Sequence, residues 1–168
     1  SQEPTGGCTS GVFMEYNFRT MEDPSGEAIL ARKYDGDSYK PCSTLPEKFQ
    51  QSCYFEQVQW WETVFAGDYK KMGELCDTLD NTLNKDACFH GVGNYAAPFS
   101  GHNAQKTGLL CEKMPTTEGK ALCIEGASWI FLGMNRMEDA RKLCHTLKDI
   151  SQQECVQKLE ANPINKKN

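Results

Sequence analysis

Long apolar runs are missing from this sequence. The most apolar stretch lies near Ala127 to Met134, far short of the about 20 residues that cross a bilayer, so no membrane span is expected. Positive charge is also scarce. Lys and Arg number 18 against 23 Asp and Glu, a net charge of −5. Electrostatic attraction to nucleic acid or anionic lipid is therefore excluded as the main function. Histidine is rarer still, with His90, His102 and His145 the three present. There is no Gly-x-Ser-x-Gly elbow for a nucleophile and no glycine-rich phosphate loop. No Asn-x-Ser/Thr acceptor for N-glycosylation occurs. The N-terminus does not carry a charged start followed by an apolar segment. The expectation is a chain whose signal peptide has been removed, or a piece of a longer one.

What the sequence does have is cysteine. Nine are present: Cys8, Cys42, Cys53, Cys76, Cys88, Cys111, Cys123, Cys144 and Cys155. Structural zinc needs close pairs such as Cys-x2-Cys. Here no two cysteines have fewer than ten residues between them. The spacing points instead to disulfides in an oxidising compartment, extracellular or periplasmic.

From Cys42 onward the cysteines fall into pairs: Cys42/Cys53, Cys76/Cys88, Cys111/Cys123 and Cys144/Cys155. Their first members are 34, 35 and 33 residues apart, a period that marks a repeat architecture. Three positions after each first cysteine stand Leu45, Leu79, Met114 and Leu147. After the second cysteine come Val92, Tyr95, Ala96, Phe99 in one unit and Ala127, Ile130, Phe131, Met134 in the next. Such offsets trace one stripe of an α-helix. Each unit therefore reads as a short helix A ending near its first cysteine, then a turn, then a helix B carrying the second. Helix A is expected near 68–79, 103–114 and 136–147. Helix B is expected near 48–65, 85–99, 118–132 and 151–160.

The punctuation agrees. Thr44-Leu45-Pro46-Glu47 and Ser151-Gln152-Gln153-Glu154 read as capping boxes. Gly67-Asp68, Gly101-His102-Asn103 and Gly133-Met134-Asn135 read as a left-handed stop followed by a cap. The first unit lacks a clear helix A, because Pro41 and the Asp35-Gly36-Asp37 turn interrupt it. The length and hairpin plan of residues 42–160 resemble tetratricopeptide-type α-solenoids. The resemblance is architectural, since the consensus of that family is not matched and the cysteines depart from it. The fold class expected is all-α: about four cysteine-paired hairpins in a solenoid-like stack. Residues 1–41, punctuated by Gly6-Gly7, Pro24-Ser25-Gly26 and Asp35-Gly36, are expected to form an irregular N-terminal arm of turns with a candidate short hairpin, and residues 161–168 a polar tail.

Two disulfide schemes are consistent with the repeat. One pairs cysteines within each hairpin and leaves Cys8 alone. The other pairs Cys53–Cys76, Cys88–Cys111 and Cys123–Cys144, with Cys8 free to take Cys42. The first is preferred, since it makes every unit identical. Closing such a loop contributes about 2–3 kcal/mol per bridge in the chain-entropy account. Cys8 is then a free thiol or an intermolecular bridge.

Candidate chemistry is thin. His90 lies in Cys88-Phe89-His90-Gly91-Val92-Gly93, which resembles Cys-x-His-Gly-x-Gly boxes of cysteine-rich repeat proteins of unassigned function. His90 and His102 are the candidate metal ligands. Plain surface positions explain them as well, and no metal or other cofactor is expected. Gly91 and Gly126, each three after a second cysteine, point to close helix approach. Ser128 falls mid-helix, where no exposed elbow forms. Carboxylate pairs such as Glu138/Asp139 read as solvated helix faces, and Asp35-Gly36-Asp37-Ser38 as a turn rather than a calcium loop. Trp60 and Trp61 point about 100° apart on a helix, which makes them a candidate docking surface. The functional expectation is a secreted, non-enzymatic module for protein–protein interaction or scaffolding. The alternatives are a subunit of an extracellular assembly, or a metal-binding protein or enzyme using the His90 region.

Overall fold

The computed structural model describes residues 7–22 and 32–161. The Pro24-Ser25-Gly26 turn and the tail from Asn162, both expected from sequence, lie outside them. The described residues form α1 (Cys8–Glu22), a 3₁₀ turn (Cys42–Thr44), α2 (Glu47–Val64), α3 (Tyr69–Asp77), α4 (Thr82–Phe99), α5 (Ala104–Cys111), α6 (Thr117–Gly133), α7 (Met137–Cys144) and α8 (Asp149–Ala161). No strand occurs among the described residues. α1, α2, α4, α6 and α8 stand in a row, each packed on the next. The short helices α3, α5 and α7 pack against this row. The core runs through both layers and includes Trp61, Met72, Phe89, Val92, Phe131 and Leu143.

All four hairpins are stapled internally, as Cys42–Cys53, Cys76–Cys88, Cys111–Cys123 and Cys144–Cys155. Their Cα atoms are 5.4, 5.5, 5.5 and 5.6 Å apart, inside the range a disulfide spans without backbone distortion. The cross-unit pairing is not the one formed. The Cys8 thiol is exposed and unbridged.

The row is close-packed because two glycines repeat. A Cβ on Gly91 would lie 2.2 Å from the carbonyl oxygen of Phe55, and one on Gly126 would lie 2.1 Å from that of His90. Each glycine stands three residues after its cysteine, and each carbonyl two residues after the cysteine of the preceding long helix. The interface α2–α4 is thus copied as α4–α6. At the same place α8 carries Lys158, which reaches Glu125 of α6 instead, with Nζ 2.7 Å from Oε2.

Helix ends repeat too. After α2, α4 and α6 the chain turns left-handed at Ala66 (φ 49°), Gly101 (φ 69°) and Asn135 (φ 57°). The next amides close back on the helix: Gly67 on Glu62, His102 on Ala97 and Arg136 on Phe131, at 3.1, 2.8 and 2.8 Å. This is the six-to-one bond of a Schellman end. Gly133 stays inside α6. Asn135 takes the stop expected of it, because Asn tolerates the left-handed region. Asp68, Asn81, Asn103 and Thr116 cap the helices that follow them, through Lys71, Asn84, Lys106 and Gly119 amides.

Three expectations are corrected. Thr44 does not cap α2; its hydroxyl donates to the Pro41 carbonyl at 2.8 Å, and Pro46 at the cap position makes no side-chain bond. Ser151 to Glu154 is not a helix start, since α8 already begins at Asp149. Within residues 1–41, the segment Cys8–Glu22 is a helix of 15 residues rather than turns and a short hairpin. It is stabilised by packing against α2, with Ser10 and Asn17 buried in the contact.

Candidate functional site

Trp60 and Trp61 were the expected docking surface, and the structure corrects this. They are 1% and 0% exposed, because the segment after α1 closes over them. Trp61 Nε1 donates to the Ser38 carbonyl at 2.9 Å. Arg32 lies on the Trp60 face, its guanidinium carbon 3.3 Å from the ring centroid, and Tyr34 meets the same ring edge-on at 5.7 Å.

Arg32 is the keystone of that cover. Its Nη1 donates to Asn17 Oδ1 on α1 at 3.0 Å and to Gln57 Oε1 on α2 at 2.8 Å. Its Nη2 donates to the Lys40 carbonyl. Gln57 Nε2 in turn donates to the carbonyls of Ser38 and Lys40 at 2.8 and 2.9 Å. Burial pulls the guanidinium pKa down to about 10, against the opposing pull of Tyr16 and Asp35, so it remains charged at neutral pH. Sequence spacing carried no signal for this cluster, since its members come from three separate segments.

His90 and His102 are not brought together. His90 sits on α4, nine residues before that helix ends, which is about 14 Å of helix axis. Its ring stacks on Trp129 of α6, with centroids 4.6 Å apart. Its Nε2 stands 3.6 Å from Glu125 Oε2, beyond hydrogen-bond reach and within ion-pair range. Burial pushes the Glu125 carboxyl up, but His90 and Lys158 together hold it below its ordinary value. His102 occupies the left-handed turn before α5, where its carbonyl accepts from Arg136 Nη1 at 2.9 Å. Among the described residues no group of three His, Cys, Asp or Glu side chains is placed to hold a metal ion.

A polar groove opens between the turn at residues 37–43 and the N-terminal parts of α2 and α4, lined by Tyr39, Gln50, Tyr54, Asp80 and Asn84. Asn84 Nδ2 donates to Gln50 Oε1 at 2.9 Å. The Asn84 carbonyl oxygen is buried and has no partner. A buried acceptor of this kind is costly when unmet. The floor of the groove is fixed by packing: Tyr54 and Asn84 are both buried, and Asn84 is held by the first turn of a capped helix. Sequence reasoning missed the groove, because a single asparagine at a helix start reads as part of a cap.

Comparison with protein-family models, with curated proteins and with solved structures finds no match for this chain.

Proposed function

We propose that this protein is a secreted, non-enzymatic repeat module that holds a protein partner. The observation that carries the reading is the stack itself. Repeated hairpins packed in a row make a continuous, rigid surface, and such surfaces commonly hold peptides or proteins. The four internal disulfides support an oxidising, extracellular setting. The groove around Gln50 and Asn84 is the candidate surface for a peptide, since its lining is polar and its floor is held by packing.

The test uses Asn84→Ala and Gln50→Ala together. The double variant should keep its helical circular dichroism and lose about tenfold or more in affinity for a partner isolated with the wild-type protein, the loss of polar groups at a buried contact being worth about 1–3 kcal/mol. Unchanged affinity would place the partner elsewhere. The assembly alternative rests on the exposed thiol of Cys8. It calls for concentration-dependent oligomers in sedimentation under non-reducing conditions, where the binding module stays monomeric. The metal-carrier alternative loses its support from geometry, because His90 is held against Trp129 and does not meet His102.

A further inference from the structure

Each long helix can be numbered from its own cysteine. Four and eight residues on, α2 carries Gln57 and Trp61, α4 Val92 and Ala96, α6 Ala127 and Phe131. All six are buried, since this stripe is the one that faces the other layer. Helix α1 begins with Cys8, and the same stripe is Val12 and Tyr16. There Val12 is 65% and Tyr16 41% exposed, and the Cys8 thiol is open to solvent.

The third position tells the same story. Gly11 follows Cys8 as Gly91 follows Cys88 and Gly126 follows Cys123. The two inner glycines lie under a neighbouring carbonyl, but a Cβ on Gly11 would have nothing within 4 Å. The opposite side of α1 is filled in the register of the repeat. In α4, positions two and five after the cysteine, His90 and Gly93, face α6 through backbone contacts. In α1 the corresponding Ser10 and Phe13 turn inward, Ser10 buried and bonded to Glu56. Asn17 donates to the Glu56 carbonyl at 2.8 Å. So α1 sits on α2 as α4 sits on α6, with Cys8 and Val12 on an exposed side, while further along it the Arg32 guanidinium stands over the Tyr16 ring, 5.7 Å from the centroid.

We propose that α1 is the second helix of a further hairpin unit, and that the face bearing Cys8, Val12 and Tyr16 is the seat of a partner helix that bridges Cys8. The chemistry of that partner follows from α3, α5 and α7. It is a short amphipathic helix with one cysteine in its last turn, a small or apolar residue four positions before the cysteine and an apolar residue three positions after. In this chain those places are Met72, Thr107 and Ala140, and Leu79, Met114 and Leu147. A second folded copy offers no such helix, because the cysteines of its α3, α5 and α7 are already bridged and its Cys8 lies in the first turn of α1. The inference deepens the partner-binding reading but uses a different face from the groove, so either can fail alone.

The bond forms by thiol–disulfide exchange. The Cys8 thiolate attacks oxidised glutathione and releases one glutathione thiol. The partner thiolate then attacks the Cys8 sulfur of the mixed disulfide and releases the second. Two thiols are oxidised, and one glutathione disulfide is reduced.

The experiment uses the intact protein in a glutathione redox buffer with a synthetic peptide of residues 68–79, whose thiol is that of Cys76. A control peptide has the same composition, with the cysteine in place and the other residues scrambled. Intact mass without reductant should find the native-order peptide on Cys8 in about tenfold excess over the control at equilibrium. Val12→Asp, at an exposed position, should leave stability unchanged and reduce the native-order adduct to control level. Asn84→Ala should leave the adduct untouched. Equal adducts from both peptides, or a Cys8–Cys8 dimer that outcompetes the adduct, would overturn the proposal.

Discussion

Gly91 and Gly126 bring the helices of the row into backbone contact. Alanine at either place would force a Cβ to about 2 Å from a carbonyl oxygen. Overpacking of this kind costs about 1–3 kcal/mol or more, which outweighs the helix propensity alanine gains. Urea unfolding of Gly91→Ala and Gly126→Ala should therefore show lowered midpoints. Gly11→Ala, with open space around it, should gain up to about 1 kcal/mol. Both inner glycines were legible from their offset to the cysteines, although Gly93, which packs against the Cys123 carbonyl, was not singled out. A second residue-scale expectation concerns Glu56. Burial raises its carboxyl above the ordinary value, against hydrogen bonds from Tyr95 and Ser10. A raised carboxyl favours the folded state when protonated and costs stability once pH rises through the folded value. Glu56→Gln keeps an acceptor for Tyr95 and removes the charge. Its stability relative to wild type should be greatest at neutral pH and should fall as pH drops through the carboxyl range. The reverse trend would show that the carboxylate itself is stabilising.

The segment from Arg32 to Pro41 is the least regular part of the described fold, yet it seals the first unit in place of a helix A. Arg32→Ala would leave the side-chain oxygens of Asn17 and Gln57 short of a donor and uncover the Trp60 face. A cost of about 1–3 kcal/mol for the unmet groups is expected. Acrylamide quenching of tryptophan fluorescence should rise as well; a variant quenched like wild type would mean the cover does not depend on Arg32. α2 to α8 were readable from sequence to within a few residues, because cysteine spacing fixed the unit and the apolar stripe fixed the face. The misread capping boxes have a physical cause. A Ser or Thr three residues before a Glu is a local signal, and at Thr44 the hydroxyl found the Pro41 carbonyl first. α1 was missed because the flanking Gly6-Gly7 and Pro24-Ser25-Gly26 read as turns. The Cys8-Thr9-Ser10-Gly11 start did carry the signal, since it repeats the Cys-x-x-Gly of α4 and α6. The burial of Trp60 and Trp61 was not legible, because it depends on an arginine 28 residues away in sequence whose pairing no period reveals.

Across the whole molecule, four bridges of 11 or 12 residues each contribute about 10 kcal/mol in the chain-entropy account. That is comparable to the entire stability of an ordinary domain, about 5–15 kcal/mol. The central claim is that one staple closes each hairpin and that the stack is built of such closed units. It is tested most directly by proteolysing the protein without reductant, with free thiols blocked, and sequencing the linked peptides by mass spectrometry. The account predicts Cys76 linked to Cys88 and Cys111 linked to Cys123, with Cys8 carrying the blocking label. Peptides joining Cys88 to Cys111, or Cys53 to Cys76, would contradict it.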